Sequence, residues 1–393
     1  MRSRQPESGL VRVAHFKIVR PLHEVSQEKS LDWLAAAHAA SARRSARDPE
    51  SFDADTFRVH MRRLLGRVGC ASSKIGTRGY DLPDFAHQHF GEMEIYNVLC
   101  ANDGAGARTR SLAYARIAEN VFEKTYAPDA MGPQDLIHVT CTGYASPSAA
   151  QKLVARRGWH TRVTHAYHMG CYASVPAIRM ASALVRGQNQ SACADIVHTE
   201  VCSLHVHPAD HSIGQLVVQS LFADGHIRYS VASSADESAG LDVLATREEI
   251  LPASEDAMSW MASDTGMDMT LAAEVPSHIA RSVRDFTRRL CAEASIDFDE
   301  ASKCAIFAVH PGGPKILDVV QIALELSDAQ IAASRDVLFR YGNMSSATLP
   351  HIWATLADDR FVPTGTMIVS LAFGPGLTMC GAVMVKAGKE DKT

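Results

Sequence analysis

No apolar run in this sequence is long enough to cross a bilayer. Stretches such as Met367 to Phe373 fall far short of the roughly 20 residues a membrane helix needs. No charge of one sign dominates: Lys plus Arg number 39 and Asp plus Glu 44, a formal net charge of −5, which gives no footing for a nucleic-acid-binding surface. Low-complexity tracts and fixed-period repeats are missing. The first residues, Met1 to Leu10, lack the apolar stretch of a secretory signal, so the expected compartment is the cytoplasm. A disulfide framework is missing too. The nine cysteines (70, 100, 141, 171, 193, 202, 291, 304 and 380) are odd in number and read as reduced thiols.

The 393 residues amount to two or three ordinary domain lengths. A Gly/Ser/Ala/Asp-rich joint from Ala232 to Leu241 suggests two halves, 1–237 and 238–393. In the first, a β-like run over Leu10–Val19 precedes a helix over Ser30–Arg47. Residues 51–80 are basic, and a helix follows over Arg108–Tyr126. Asp135–Thr142 reads as a buried strand, Pro147–Arg157 as a helix, and Thr161–Met169 as a strand ending at Gly170-Cys171. Val175, Ile178, Ser182 and Val185 mark one helix face, with Gly187 as its stop. Ala194–Leu204 and Leu216–Phe222 read as strand-like or buried segments. In the second half, Ser277–Ala294, Lys315–Leu326, Asp328–Tyr341 and Ser346–Leu356 read as helices, and Cys304–Val309, Thr366–Ala372 and Thr378–Lys386 as strands. Alternation of this kind predicts an α/β layered architecture.

Three residues stand where chemistry is usually placed. Cys171 lies where a strand gives way to a helix, near N–H groups that favour a thiolate. His310 ends a short apolar strand before Pro311-Gly312-Gly313-Pro314, where it can pair with a thiolate or present a neutral N–H to a carbonyl. Asn343 follows Gly342 before another helix and offers an amide donor. Nucleophile, proton partner and oxyanion donor are thus all present.

Four ordered segments carry a resemblance: His168-Met169-Gly170-Cys171-Tyr172-Ala173, Val309-His310-Pro311-Gly312-Gly313-Pro314-Lys315-Ile316-Leu317-Asp318, Tyr341-Gly342-Asn343-Met344-Ser345-Ser346-Ala347, and Ala372-Phe373-Gly374-Pro375-Gly376-Leu377-Thr378. In these the sequence resembles the type III polyketide synthases, the chalcone-synthase-like branch of the thiolase superfamily. The resemblance implies a thiolase-like αβαβα fold of two similar halves in a homodimer. It implies that Cys171 accepts an acyl starter from CoA or an acyl carrier protein. Decarboxylated malonyl-CoA then extends the chain, and His310 and Asn343 stabilise the charge on the thioester oxygen. No metal or bound organic cofactor is implied.

By the same resemblance Phe222 and Met269 are gatekeepers between a CoA tunnel and a cavity. Cys141, Leu204, Trp260 and Ser345 would line that cavity, with Gly374, Pro375 and Gly376 shaping its floor. Arg62, Arg63, Arg67 and Lys74 are candidates for the CoA or carrier phosphate. Cys202-Ser203-Leu204-His205 and Cys141-Thr142-Gly143 look like the bacterial branch, whose members often make alkylresorcinols, alkylpyrones or tetrahydroxynaphthalene. Residues of ordinary apolar type at Phe222, Met269 and Trp260 also fit plain core packing. His205, His207 and His211 have spacing a metal could use but no convincing acidic or cysteine partner. A papain-like protease would need a C-G-[SA]-C-[WY] signature, absent around Cys171. A ketoacyl-carrier-protein synthase shares the triad but typically has Gln-Ala-Asn after the histidine. A non-catalytic thiolase-fold subunit remains a further reading, in which Cys171 is unreactive.

Overall fold

In a computed structural model the described residues are 10–186, 192–234 and 238–388. The expected joint at residue 237, the helix stop at Gly187 and the first nine residues lie outside them. In chain order the strands are β1 (Val11–Val19), β2 (His23–Ser26), β3 (Thr77–Tyr80), β4 (Asp135–Thr140), β5 (Arg162–Tyr167), β6 (Cys193–Glu200), β7 (Gly225–Ser233), β8 (Gly240–Ile250), β9 (Met258–Ser263), β10 (Gly266–Leu271), β11 (Ile306–Val309), β12 (Met367–Gly374) and β13 (Thr378–Ala387). The helices are α1 (Gln27–Ser45), α2 (Ala54–Val68), α3 (Ala107–Thr125), α4 (Ala149–Arg157), α5 (Ser174–Arg186), α6 (Ile213–Leu221), α7 (Val275–Glu293), α8 (Phe298–Cys304), α9 (Pro314–Leu324), α10 (Asp328–Tyr341) and α11 (Thr348–Asp358).

Nine strands form one mixed sheet in the order β5-β4-β6-β7-β1-β8-β13-β12-β11. Its middle is a seam. β1 and β8 pair antiparallel over only four residue positions, and Arg12 Nε donates to Asp242 Oδ1 at 2.7 Å across it. On one side β5, β4 and β6 run parallel, and every residue of β4 is buried, as expected of a parallel strand covered on both faces. On the other side β11 and β12 are parallel.

Helices α5 and α11 lie between the two half-sheets. α11 is buried on nearly all sides, and α5 is apolar and small apart from one exposed edge at Arg179 and Ala183. Ile178 and Ala181 of α5 and Ile352 and Trp353 of α11 share one core with strands of both half-sheets. A second core packs α7, α9 and α10 on β11–β13. A third packs α1, α3 and α4 on the opposite outer face. Helix, sheet, helix, sheet, helix is the layering of a thiolase-like fold.

One segment departs from the sequence reading. Leu216–Phe222 is the C-terminal part of α6, begun by Ser212, whose side chain accepts from Gln215 N. Its apolar residues pack on two sides, which hides helical periodicity behind a β-like run. The strands β2, β3, β7, β8, β9 and β10 have no counterpart in the sequence reading; β2 and β3 are only four residues long, and β8 to β10 have half-buried faces that alternate weakly.

Candidate active site

Cys171 follows β5 through a tight turn in which His168 (φ 62°) and Gly170 (φ 79°) are left-handed. A Cβ on Gly170 would also stand 2.8 Å from Pro375 Cδ, so the turn that presents the cysteine needs glycine here. The cysteine is buried, and its Sγ lies 3.7 Å from Ser345 Oγ. His310 caps β11, its backbone N donating to Leu371 O at 2.8 Å. Asn343 follows the left-handed Gly342 (φ 74°) and is stitched to the end of α6: Asn343 N donates to Leu221 O, and Ala223 N to Asn343 O. Its side-chain Oδ1 accepts from Ser345 N at 2.9 Å and its Nδ2 donates to Gly312 O at 3.3 Å, so the amide orientation is fixed.

Cys171, His310 and Asn343 line one outer cleft of about 700 Å³. Cys171 also lines a narrower inner cavity of about 50 Å³, room for a few water molecules. Phe222, Met258 and Met269 border both spaces. Gln215 Nε2 donates to Met269 O at 2.9 Å and ties the β9–β10 hairpin to α6.

Burial works against charge at both reactive groups. It pushes the Cys171 thiol up to about 12, with Ser345 as a smaller opposing influence, and pushes His310 down to about 3. Desolvation thus opposes the pull of the nearby helix N-terminus towards a thiolate. Both ring nitrogens of His310 are buried and without a hydrogen-bond partner, free for a substrate.

Cys141, Trp260, Ser345 and Pro375 line the inner cavity. Trp260 Nε1 donates to Cys141 O at 2.6 Å, which fixes the indole across it. Leu204 does not line it. Its side chain is fully buried in the third core, while the neighbouring Cys202, Ser203 and His205 face the cavity from the same short helical turn. Gly374 and Gly376 also stand off it. A Cβ on Gly374 would strike the Tyr172 ring, so this glycine serves packing behind the floor that Pro375 supplies.

Of the four basic candidates, Lys74 lines the outer cleft. Arg63 and Arg67 are exposed on α2, whose last residue, Val68, borders that cleft. Arg62 is turned elsewhere: its guanidinium pairs with Asp32 (2.6 Å) and with Glu28 on α1. The three histidines of the metal pattern have separate partners. His205 bonds Thr142 O and Met267 N, His207 pairs with Asp268, and His211 meets His38.

Two residues were missed. Glu200, at the end of β6, is fully buried and accepts from Cys141 N (3.0 Å), Thr142 Oγ1 (2.8 Å) and Ser346 Oγ, and Cys141 Sγ is 3.6 Å away. Burial raises its carboxyl. A glutamate inside the stretch Ala194–Leu204, read as strand-like or buried, was the available signal. Arg78, inside the basic stretch, is buried on the cavity wall, and nothing in that stretch set it apart.

Solved structures share the whole architecture. The chain aligns over 98% of its length with PKS-I from the brown alga Ectocarpus siliculosus, covering all of that chain, at TM-score 0.80 and 20% identity. Over 96% of its length it aligns with the C-terminal type III polyketide synthase domain of Steely1 from Dictyostelium, covering 99% of that domain, at TM-score 0.78 and 24% identity. The third is 1,3,6,8-tetrahydroxynaphthalene synthase from Streptomyces coelicolor, with TM-score 0.74, 23% identity, and 96% and 100% coverage. These define the class of fold as thiolase-like.

Residues 123–234 match the N-terminal domain of chalcone and stilbene synthases, and residues 242–387 match the C-terminal domain. The chain belongs to this family of type III polyketide synthases, acyltransferase-type enzymes that form C–C bonds. A probable polyketide synthase of Dictyostelium discoideum is 31% identical over 255 residues, 63% of this chain; the matched part is only 8% of that protein's length.

Proposed function

We propose that the chain loads an acyl starter on Cys171, extends it by decarboxylative Claisen condensation with malonyl-CoA and closes the product to an alkylpyrone or alkylresorcinol type. The observation that carries this is the position of Cys171, which opens on the outer cleft beside His310 and Asn343 and on the inner cavity at once. In the outer cleft a thioester can reach the sulfur; the growing chain enters the inner cavity as the flexible Met258 and Met269 side chains on its border give way. Residues 1–237 supply the nucleophile and residues 238–393 the histidine and asparagine.

Starter transfer needs the Cys171 proton to leave, and neutral His310, with both nitrogens unpartnered, is the acceptor at hand. When malonyl-CoA follows, decarboxylation puts negative charge on the thioester oxygen. His310 N–H and Asn343 Nδ2 meet it there, each such donor being worth about 2.7–4 kcal/mol. The enolate carbon then attacks the acyl carbonyl on Cys171, and the thiol leaves as the new C–C bond forms. No metal or bound cofactor enters these steps. The apolar gate formed by Phe222, Met258 and Met269 favours an aliphatic starter.

Lys74 at the cleft, with Arg63 and Arg67 nearby on α2, would meet the phosphate of CoA or of an acyl carrier protein. The working form is a homodimer of the bacterial type, held in the cytoplasm; nine free thiols suit a reducing compartment. No described helix is long and apolar enough to cross a membrane. Intact-protein mass spectrometry with an acyl-CoA should show one acyl adduct that disappears in Cys171→Ala. An adduct that survives this change would remove the assignment.

A further inference from the structure

The steps above leave one buried charge unused. Arg78, on β3, is 2% exposed and lines the inner cavity with Tyr80, Gln219 and Phe222. Its Nη1 donates to Gln219 O at 2.7 Å and Phe222 O at 3.0 Å, closing the last turn of α6, where the carbonyl end of a helix favours a cation. The other edge of the guanidinium, Nε and Nη2, is buried with no hydrogen-bond partner.

No carboxylate lines the cavity with it. Asp224, the acid that acts on it through space, is already bound to Ser203 and to the backbone N–H of Asp81, and burial raises its own carboxyl. Burial lowers the pKa of Arg78, yet a guanidinium keeps its proton in proteins. The Tyr80 ring lies 5.5 Å beneath the Arg78 guanidinium, and the Tyr80 hydroxyl, beside Ser30 Oγ, is also buried and unpartnered. A desolvated cation with free N–H groups is costly until an oxyanion meets it.

We propose that Arg78, assisted by Tyr80, forms an oxyanion subsite in the inner cavity that holds the enolate oxygens of the tethered β-keto chain. The inference rests on the condensing activity proposed above, since that activity delivers such a chain. A 1,3-dicarbonyl gives up its central proton readily and spreads the charge over two oxygens. The Nε and Nη2 edge is a fork that matches two such oxygens as it matches a carboxylate. Held there, the chain presents a restricted choice of carbon or oxygen to the thioester carbonyl, so the subsite bears on how the ring closes.

The test is direct binding to the full chain without any CoA ester. The probes are 4-hydroxy-6-methyl-2-pyrone, a cyclic 1,3-dicarbonyl that is anionic at neutral pH, and its neutral 4-methoxy ether, each titrated by calorimetry. The wild type should bind the anion about 10-fold more tightly than the ether. Arg78→Gln should bring that ratio close to one, Arg78→Lys should leave it intermediate, and Tyr80→Phe should lower it a few-fold. Because Arg78 also closes α6, Arg78→Gln is interpreted only if its circular dichroism is unchanged; Arg78→Lys and Tyr80→Phe decide otherwise. Equal binding of both probes by the wild type, meaning that water alone meets the guanidinium, overturns the subsite. So does a ratio unaltered in the folded variants. An intact ratio in a protein that makes no polyketide would sink the proposed function and leave the subsite standing.

Discussion

The outer cleft and the inner cavity share a wall but are built in opposite ways. The cleft is roomy, and its reactive groups, Cys171, His310 and Asn343, sit on short turns at the ends of strands and helices. The cavity is narrow, and its walls come from α1, β3, α6 and the β9–β10 hairpin, elements spread over more than two hundred residues of chain. In the cleft, burial works against charge on Cys171 and His310; among the described residues that line the cavity, the single Lys, Arg, Asp or Glu is Arg78, buried without a hydrogen-bonded acid. The contrast teaches that the proposed decarboxylation and the proposed chain accommodation should respond to different substitutions, because the two spaces rest on different supports.

The largest effect expected from this division is on the cleft. His310→Ala or Asn343→Ala should lower carbon dioxide release from malonyl-CoA about 10²–10³-fold, while the starter adduct on Cys171 still forms with Asn343→Ala. Wild-type release rates in either variant would break the comparison. Next, Trp260→Ala removes an indole held to Cys141 O and widens the cavity. It should shift kcat/KM toward longer acyl starters by about 10-fold, since each buried methylene is worth about 0.8 kcal/mol, with decarboxylation within about two-fold of wild type. An equal loss of decarboxylation would show the two spaces to be one.

Lys74→Ala should act more weakly, raising KM for acyl-CoA about three- to five-fold at low salt with kcat unchanged, an increment that shrinks at high salt. An unchanged KM would leave the cleft mouth without its cation. The smallest expectation is a flat line. Burial takes His310 from 6.5 to about 3, so decarboxylation should show no inflection near pH 6.5. The sign for stability follows: its depressed pKa favours the fold fully above pH 6.5, and that contribution fades as pH falls toward 3. A rate that drops with an apparent pKa near 6.5 while the protein stays folded would mean His310 is protonated in use.

Much of the first space was legible in the sequence. Cys171, His310 and Asn343 stand beside glycines and prolines that punctuate elements, and such turns are local facts of the chain. The second space was legible only in part. Trp260, Cys141 and Ser345 reach it, but Leu204 points into the third core because a single helical turn rotates Ser203 and His205 to the cavity instead. Arg62 and Arg78 look alike in a basic stretch, yet one is half exposed and paired with two acids while the other is buried with an unpartnered edge. Which of two arginines is desolvated depends on what packs over it, and α6, more than a hundred residues away, decides that.

The sequence by itself determined the layered α/β class, the order of most elements and the three candidate residues of the site, because periodicity, turn chemistry and short motifs are properties of neighbouring residues. Only the tertiary structure decided the burial of Cys171 and His310, the hub at Glu200, the cavity wall and the free edge of Arg78. These depend on desolvation and on hydrogen-bond partners brought together from distant parts of the chain, and no stretch of sequence contains them.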